Sequence, residues 1–267
     1  MFLFRKFAYI LKMLKRSIII LMLLVAFGAR SQNLFPDYRF KVLENNDTLL
    51  FPYSGGLNTP VWAELDLNGN GIMDLIGYDK TTGRVLPFIN NGTPSTVDYH
   101  FAPQYGPRIP ELSEWVRTYD YDCDGDLDII TFNISYSFNI LGEGAMRVYR
   151  NDFTAGKGLI FTNVTNELIT SYGTVIKLIP SSPVNLPAFS DIDNDGDMDI
   201  LTFSLSSNYV EYHKNYSMDS TGVCSNFLFH AEADCWGLFK LSGVANIALL
   251  NSTCLNIPDN TNLHAGS

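Results

Sequence analysis

A nine-residue acidic loop that recurs three times constrains this chain more than any other feature. The third copy holds Asp191, Asp193, Asp195, Gly196, Asp197 and Asp199, with carboxylates at positions 1, 3, 5 and 9 and glycine at position 6. The second is equally acidic: Asp120, Asp122, Asp124, Gly125, Asp126 and Asp128. The first holds Asp66, Asn68, Asn70, Gly71 and Asp74, with amides at positions 3 and 5. Such spacing suits Ca²⁺, which takes six to eight oxygens at about 2.3–2.6 Å, so that alternate side chains must converge while the chain turns at a glycine. Carboxylates about 4 Å apart repel by about 1 kcal/mol per pair in water and about 4 kcal/mol at an effective dielectric of 20. A loop this acidic calls for a cation to close it.

The flanks repeat with the loops. Position 8 is apolar (Met73, Leu127, Met198), positions 10 and 11 are aliphatic pairs (Leu75-Ile76, Ile129-Ile130, Ile200-Leu201), and position 13 is aromatic (Tyr78, Phe132, Phe203). Short β-branched and aromatic runs bounded by Gly, Asn and Asp read as buried strands. A further strand ends on Asn90, Asn151 and Asn215, which lie 24, 31 and 24 residues after the first loop aspartate. Each unit therefore reads as strand, loop, strand, turn, strand, with room for a fourth strand. The longer middle interval is expected to hold an enlarged hairpin over residues 135–144. Before the first loop, residues 38–43 and 49–53 are expected to form a hairpin. Beyond residue 217 the pattern lapses, and residues 245–250 read as either a short helix or an irregular blade segment.

An EF-hand loop opens with the same spacing, but it requires a glutamate at position 12 and flanking helices. Position 12 is Gly77, Thr131 and Thr202, and strand formers surround it. On these loops and their exit strands, residues 50–220 resemble FG-GAP/VCBS repeats, the family that builds integrin-α-like β-propellers. The literal Phe-Gly and Gly-Ala-Pro signature of that family is absent, so the likeness lies in the loop half of the motif. The resemblance implies an all-β fold of β-propeller-type blades, with calcium held between the first two strands of a blade. A partial propeller, a compact stack of sheets and a piece of a longer protein all remain open. Carried over by position, the ligands are the side chains of Asp66, Asn68, Asn70 and Asp74, of Asp120, Asp122, Asp124 and Asp128, and of Asp191, Asp193, Asp195 and Asp199. The position-7 carbonyls of Ile72, Asp126 and Asp197 complete the sets. The first loop, with two carboxylates against four, is expected to bind most weakly.

The first 31 residues read as a secretory signal peptide. Arg5, Lys6, Lys12, Lys15 and Arg16 precede an apolar run over residues 18–27, and Ala29 and Ser31 offer a cleavage site. Ten apolar residues fall short of the roughly 20 that a membrane-spanning helix needs. The expected organisation is a leader over 1–31, repeats over 32–220, and a cysteine-containing segment over 221–267 that forms part of a further blade. The leader holds six of the 18 Lys and Arg residues, leaving 12 against 28 acids and a net charge of −16. With no basic stripe to release phosphate counterions, nucleic acid is not an expected partner. Cys123, Cys224, Cys235 and Cys254 allow three connectivities. A bridge within the C-terminal three, leaving Cys123 free, is the favoured one. The likeness of residues 263–267 to residues 54–58 suggests that the reading frame continues into another repeat.

Catalytic signatures are sparse. The sequence has no G-x-S-x-G elbow, H-E-x-x-H helix or phosphate-cradling glycine loop. His100, His213, His230 and His264 are scattered and read as structural. Glu64, and Glu232 with Asp234, read as solvated acids, and Cys235-Trp236 as a disulfide-tethered anchor. Tyr99, Tyr105 and Trp115 read mainly as packing residues, with sugar stacking as the alternative. The expected function is a secreted or cell-surface calcium-binding repeat protein with a non-catalytic binding, adhesion or scaffolding role toward protein or glycan ligands. The alternative is the accessory region of a secreted hydrolase or lyase.

Overall fold

The structure is a computed structural model that describes residues 15, 40–49, 51–136, 144–204, 208–224, 226–242 and 247–252. The signal peptide, the tip of the enlarged hairpin, Cys254, His264 and the C-terminal run-in lie outside those residues, apart from Lys15. Among the described residues no helix is long and apolar enough to cross a membrane.

The first elements are strands β1 (Leu43–Glu44) and β2 (Asp47–Thr48). Asn45 and Asn46 between them have φ of 51° and 72°, the left-handed pair of a two-residue type I′ turn whose twist matches the strands it joins. The hairpin is therefore shorter than the sequence suggests and sits closer to its turn.

Three sheets follow, one for each acidic loop and each built on four sequential antiparallel strands. Sheet 1 has strands β3 (Pro60–Leu65), β4 (Asp74–Asp79), β5 (Arg84–Asn90) and β6 (Tyr99–Phe101) in sequential order. Sheet 2 repeats the plan with β7 (Val116–Tyr119), β8 (Asp128–Asn133), β9 (Ala145–Asn151) and β10 (Phe161–Thr165). A hairpin of β11 (Ile169–Tyr172) and β12 (Val175–Leu178) precedes the third unit, β13 (Ala188–Ser190), β14 (Asp199–Phe203), β15 (Val210–Asn215) and β16 (Phe229–Ala233). Pairing of β11 with β16, in parallel, adds the hairpin to the far edge and makes sheet 3 six-stranded. Residues 229–233, beyond the third repeat as read from sequence, thus supply that sheet's fourth unit strand. A last hairpin joins β17 (Phe239–Leu241) to β18 (Ala248–Leu250). The described part of 245–250 is therefore strand and not helix. Ala248, Leu249 and Leu250 pair with Leu241, Lys240 and Phe239 of β17.

The aliphatic pairs after each loop explain how the sheets stack. On β8 the side chains alternate between faces, as strand geometry requires, and both faces are covered. Ile129 joins Leu65, Ile76 and Val116 in a core between sheets 1 and 2, while Ile130 joins Trp115, Met146 and Ile200 in a core between sheets 2 and 3. All of β8 is buried. In the outer sheets one member of each pair is less covered: Ile76 and Ile200 are buried, whereas Leu75 and Leu201 are half-buried. The first strands lie together, β7 against both β3 and β13. The result is an all-β stack of blade-like sheets with no closed barrel. Trp115, which the sequence leaves as a loop aromatic, is fully buried in the second core, and its indole N–H donates to the Ser182 carbonyl at 3.1 Å.

A disulfide ties the second loop to the segment between β15 and β16. Cys123, inside the second loop, is bonded to Cys224, with Cα atoms 5.9 Å apart and a sequence separation of 101. This corrects the expectation that Cys123 stays free: stacking brings the second loop beside the segment after β15, a proximity no local spacing encodes. Cys235 is buried and disulfide-bonded as well. Closing a loop of this length removes roughly 4–5 kcal/mol of unfolded-state entropy in the chain-entropy model. The pair Cys123→Ser and Cys224→Ser should therefore lower unfolding stability by about 2–5 kcal/mol in urea titrations of the oxidised protein. A loss below about 0.5 kcal/mol would show that the link contributes little.

Candidate metal centres

All three acidic loops join the first strand of a unit to the second, at the same end of each sheet. Each is built around its position-9 aspartate, the first residue of the second strand. Asp74, Asp128 and Asp199 are completely buried. One carboxylate oxygen accepts the position-2 N–H: Leu67 at 2.9 Å, Tyr121 at 3.0 Å and Ile192 at 2.9 Å. The other accepts the N–H of the asparagine that ends the third strand: Asn90 at 2.7 Å, Asn151 at 2.8 Å and Asn215 at 2.8 Å. The asparagine side chains in turn donate to nearby carbonyls, Asn90 to Met73 and Asn151 to Leu127, both at 3.2 Å, and Asn215 to Asn226 at 3.1 Å. The strand-ending asparagine, which the sequence shows only as a recurring residue, is the other half of a clamp.

The position-1 carboxylates wind the loop. Asp120 accepts the N–H groups of Asp124 at 3.1 Å and Gly125 at 3.0 Å, and Asp191 accepts those of Asp195 and Gly196, both at 3.1 Å. Asp66 accepts four, from Asn68, Gly69, Asn70 and Gly71. At position 5, Asn70, Asp124 and Asp195 each accept the N–H of position 7. The glycines at position 6 have φ of 79°, 97° and 96°, left-handed values that a side chain would resist.

What remains in the loops is oxygen without hydrogen. Asn68 Oδ1 and Asp122 Oδ1, both at position 3, are buried atoms with no hydrogen-bond partner, an arrangement costly without a compensating group. In the second loop, carboxylate oxygens of Asp120, Asp122 and Asp128 lie within 4.8 Å of one another. An all-oxygen donor set of this charge fits a hard cation such as Ca²⁺. Burial drives the Asp128 carboxyl up to about 7, against the lowering pull of the Asn151 and Tyr121 N–H groups. Asp74 is also raised by burial, as are Asp122 and Asp126, with neighbouring carboxylates adding to the effect.

The third loop is filled differently. Asp191, Asp193 and Asp195 bring carboxylate oxygens within 4.8 Å of one another. The Lys214 ammonium, however, contacts Asp193 and lies 2.7 Å from Asp219 and 3.5 Å from Asp195. Burial alone would depress the Lys214 pKa, but Asp193 and Asp219 hold it above the usual lysine value. Asp219 belongs to the short helix α1 (Ser217–Thr221). The Asp197 side chain accepts from the start of that helix, from the Met218 N–H at 2.9 Å and the Ser217 hydroxyl at 3.0 Å. Asp197 can thus offer a metal only its carbonyl and its unpartnered Oδ1. Burial raises Asp199 to about 6.

Neighbouring loops touch. Phe153, two residues past the clamp asparagine of sheet 2, covers Gly69 so closely that an added Cβ would fall 2.0 Å from its ring. Both sulfurs of the Cys123–Cys224 bridge lie 3.4 Å from the Gly196 carbonyl oxygen of the third loop.

Among the described residues, the other sequence candidates do not form a site together. His213 is buried on β15 beside Thr170 and Glu211, whereas His100 and His230 are exposed. Glu64 is exposed, and Glu232 accepts from the Tyr216 hydroxyl at 2.7 Å. Tyr105 packs against the first core, and the Tyr99 hydroxyl lies 3.5 Å from the Asn90 amide nitrogen. Sequence reasoning missed Lys214. Its only signal was its position one residue before the clamp asparagine, where the other units have Ile89 and Arg150.

Residues 66–131, spanning the first two loops and the strands between them, match the FG-GAP-like repeat family. No curated protein and no solved structure matches the chain.

A carboxyl raised above its unfolded value near 4 binds its proton more tightly in the folded protein. Its contribution is complete below pH 4 and is lost as pH rises through the folded value. For Asp128 and Asp199 that window runs from about 4 to about 7. Asp79, Asp98 and Asp152, lowered chiefly by side-chain hydrogen bonds from Thr82, Thr93 and Thr162, act below it. In metal-free buffer the melting temperature should therefore fall between about pH 5 and about pH 7.5. Melting curves that rise across the window would overturn the assignment.

Proposed function

We propose that this chain, carrying an FG-GAP-like repeat, is an exported, non-catalytic binding module whose first two acidic loops are set by Ca²⁺. The observation that carries the reading is the pair of buried position-3 oxygens, Asn68 Oδ1 and Asp122 Oδ1, which have no hydrogen-bond partner. Buried polar atoms in native folds are almost always paired, and a cation at these positions supplies the partner. Asp66, Asn68, Asn70, Asp74 and the Ile72 carbonyl are the oxygens for the first loop. Asp120, Asp122, Asp124, Asp128 and the Asp126 carbonyl are those for the second. The ion's role is mechanical. It neutralises carboxylates that would repel across the loop and so holds the end of each sheet at which adjoining loops meet ligand. The ligands are proteins or glycans outside the cell, in keeping with the basic, apolar leader and the strongly acidic mature chain.

Thermal melting of the intact mature chain in Ca²⁺ against chelator tests this. Each site that binds only the folded state adds RT ln(1 + [Ca²⁺]/Kd), about 2.7 kcal/mol at one hundred times Kd. A clear upward shift is expected, smaller in Asp122→Asn. An identical melting temperature in both buffers would rule the metal out. Glycan arrays and pull-downs with the calcium-loaded chain address the binding role, for which capture should weaken in chelator.

A further inference from the structure

By charge alone the third loop equals the second, yet the two are not equivalent. We propose that the third loop is closed by the Lys214 ammonium in place of a metal ion. We further propose that the residue before each clamp asparagine decides whether its loop takes Ca²⁺. The contrast rests on the calcium reading of the first two loops.

The geometry is specific. The Lys214 ammonium donates to Asp193 and to Asp219, the latter at 2.7 Å, and lies 3.5 Å from Asp195, whose Oδ2 it meets as an ion pair without a hydrogen bond. The Lys214 side chain is 14% exposed and those of Asp193 and Asp195 are 25% and 16% exposed, so these charges are screened less than surface ones, whereas Asp219 is 45% exposed. Asp193 and Asp195 are positions 3 and 5, the two side chains a bound ion must touch at about 2.3–2.6 Å. A cation bridging them would share its place with the ammonium, and a double positive charge there would be repelled by Lys214. Asp219 makes the arrangement self-sufficient. It is an acid outside the loop, set on a helix whose first turn is bonded to the side chain of Asp197. The third loop has thus acquired both a cation and a structure to hold that cation.

The corresponding positions in the other units lack this. Ile89 lies in the core between sheets 1 and 2, 8% exposed, and carries no charge. Arg150 is cationic, but its guanidinium donates from Nε to Asp152 at 2.8 Å, outside the loop, and its side chain is 41% exposed. The Asp122 oxygen beside it is left without a hydrogen-bond partner. The three units therefore present no cation, a cation bonded outside the loop whose charge still reaches Asp122, and a cation inserted among the loop carboxylates.

Calcium titration calorimetry on the intact mature chain separates the possibilities, with Lys214→Met, Asp193→Asn and Asp122→Asn as variants. Lys214→Met is expected to bind one more Ca²⁺ per chain than wild type. Asp193→Asn should leave the wild-type stoichiometry unchanged and abolish the gain when combined with Lys214→Met. In metal-free buffer Lys214→Met should melt below wild type and recover on adding Ca²⁺. A wild-type stoichiometry that falls on Asp193→Asn would overturn the proposal, as would a folded Lys214→Met with no added site. If Lys214→Met does not fold, the Asp193→Asn comparison in the wild-type background decides alone. Asp122→Asn reports on the second loop separately. If it leaves calcium uptake unchanged while Lys214→Met still gains a site, the reading of the second loop fails and the assignment of Lys214 stands.

Discussion

The structure depends on one interaction repeated three times: a buried aspartate that bonds two backbone N–H groups from different parts of its unit. Asp74, Asp128 and Asp199 each join the start of a loop to the end of the third strand. Burying a carboxylate is expensive unless its oxygens are satisfied. Here each accepts two N–H donors that would otherwise be orphaned where the loop leaves the ladder. Asparagine at position 9 would leave one donor facing an amide nitrogen, and glutamate would overshoot both. The clamp fixes the span between the first and third strands, so all three sheets begin in the same register. Sheets alike at one end can stack with their first strands side by side, as β3, β7 and β13 do.

That logic explains how much of the fold was legible in the sequence. The clamp is a local device, and its parts recur at nearly constant spacing, so the loops, exit strands and asparagine-ended strands could all be located. The aliphatic pairs showed strands buried on both faces, and Ile129 and Ile130 do feed separate cores. What escaped depends on contacts distant in sequence. The Cys123–Cys224 bond arises only once sheets 2 and 3 are stacked, and the burial of Trp115 depends on Ser182 and its neighbours arriving from the next unit. The fourth strands were left as room because short, half-exposed edges such as β6 carry little periodicity. The parallel docking of β11 on β16 has no local signal at all.

The same division holds for the site. Acid spacing identifies which side chains converge, but not which cation they converge on, because the counter-charge is a property of the neighbours. Lys214 is remote from the third loop in sequence, and only the antiparallel return of β15 brings its side chain back among Asp193 and Asp195. A carboxylate count that treats the second and third loops as equal omits this. Counting charge on every element packed against a loop restores the distinction: Ile89 adds nothing, Arg150 is engaged by Asp152, and Lys214 is engaged by the loop itself.

The placement of the loops makes such local neutralisation consequential. The second and third loops meet at the Cys123–Cys224 bridge, whose sulfurs rest against Gly196. The first and second are near enough for Asp66 to act on Asp126. Uncompensated carboxylates in all three would place a dense negative field along one end of the stack, weakened by salt only beyond about 8 Å under physiological conditions. A lysine built into one loop relieves that field permanently, whereas a bound ion relieves it only while calcium is present. If the first two loops take Ca²⁺ and the third takes Lys214, as proposed, part of the acidic end stays closed whatever the surrounding metal concentration and the rest closes only when calcium is bound.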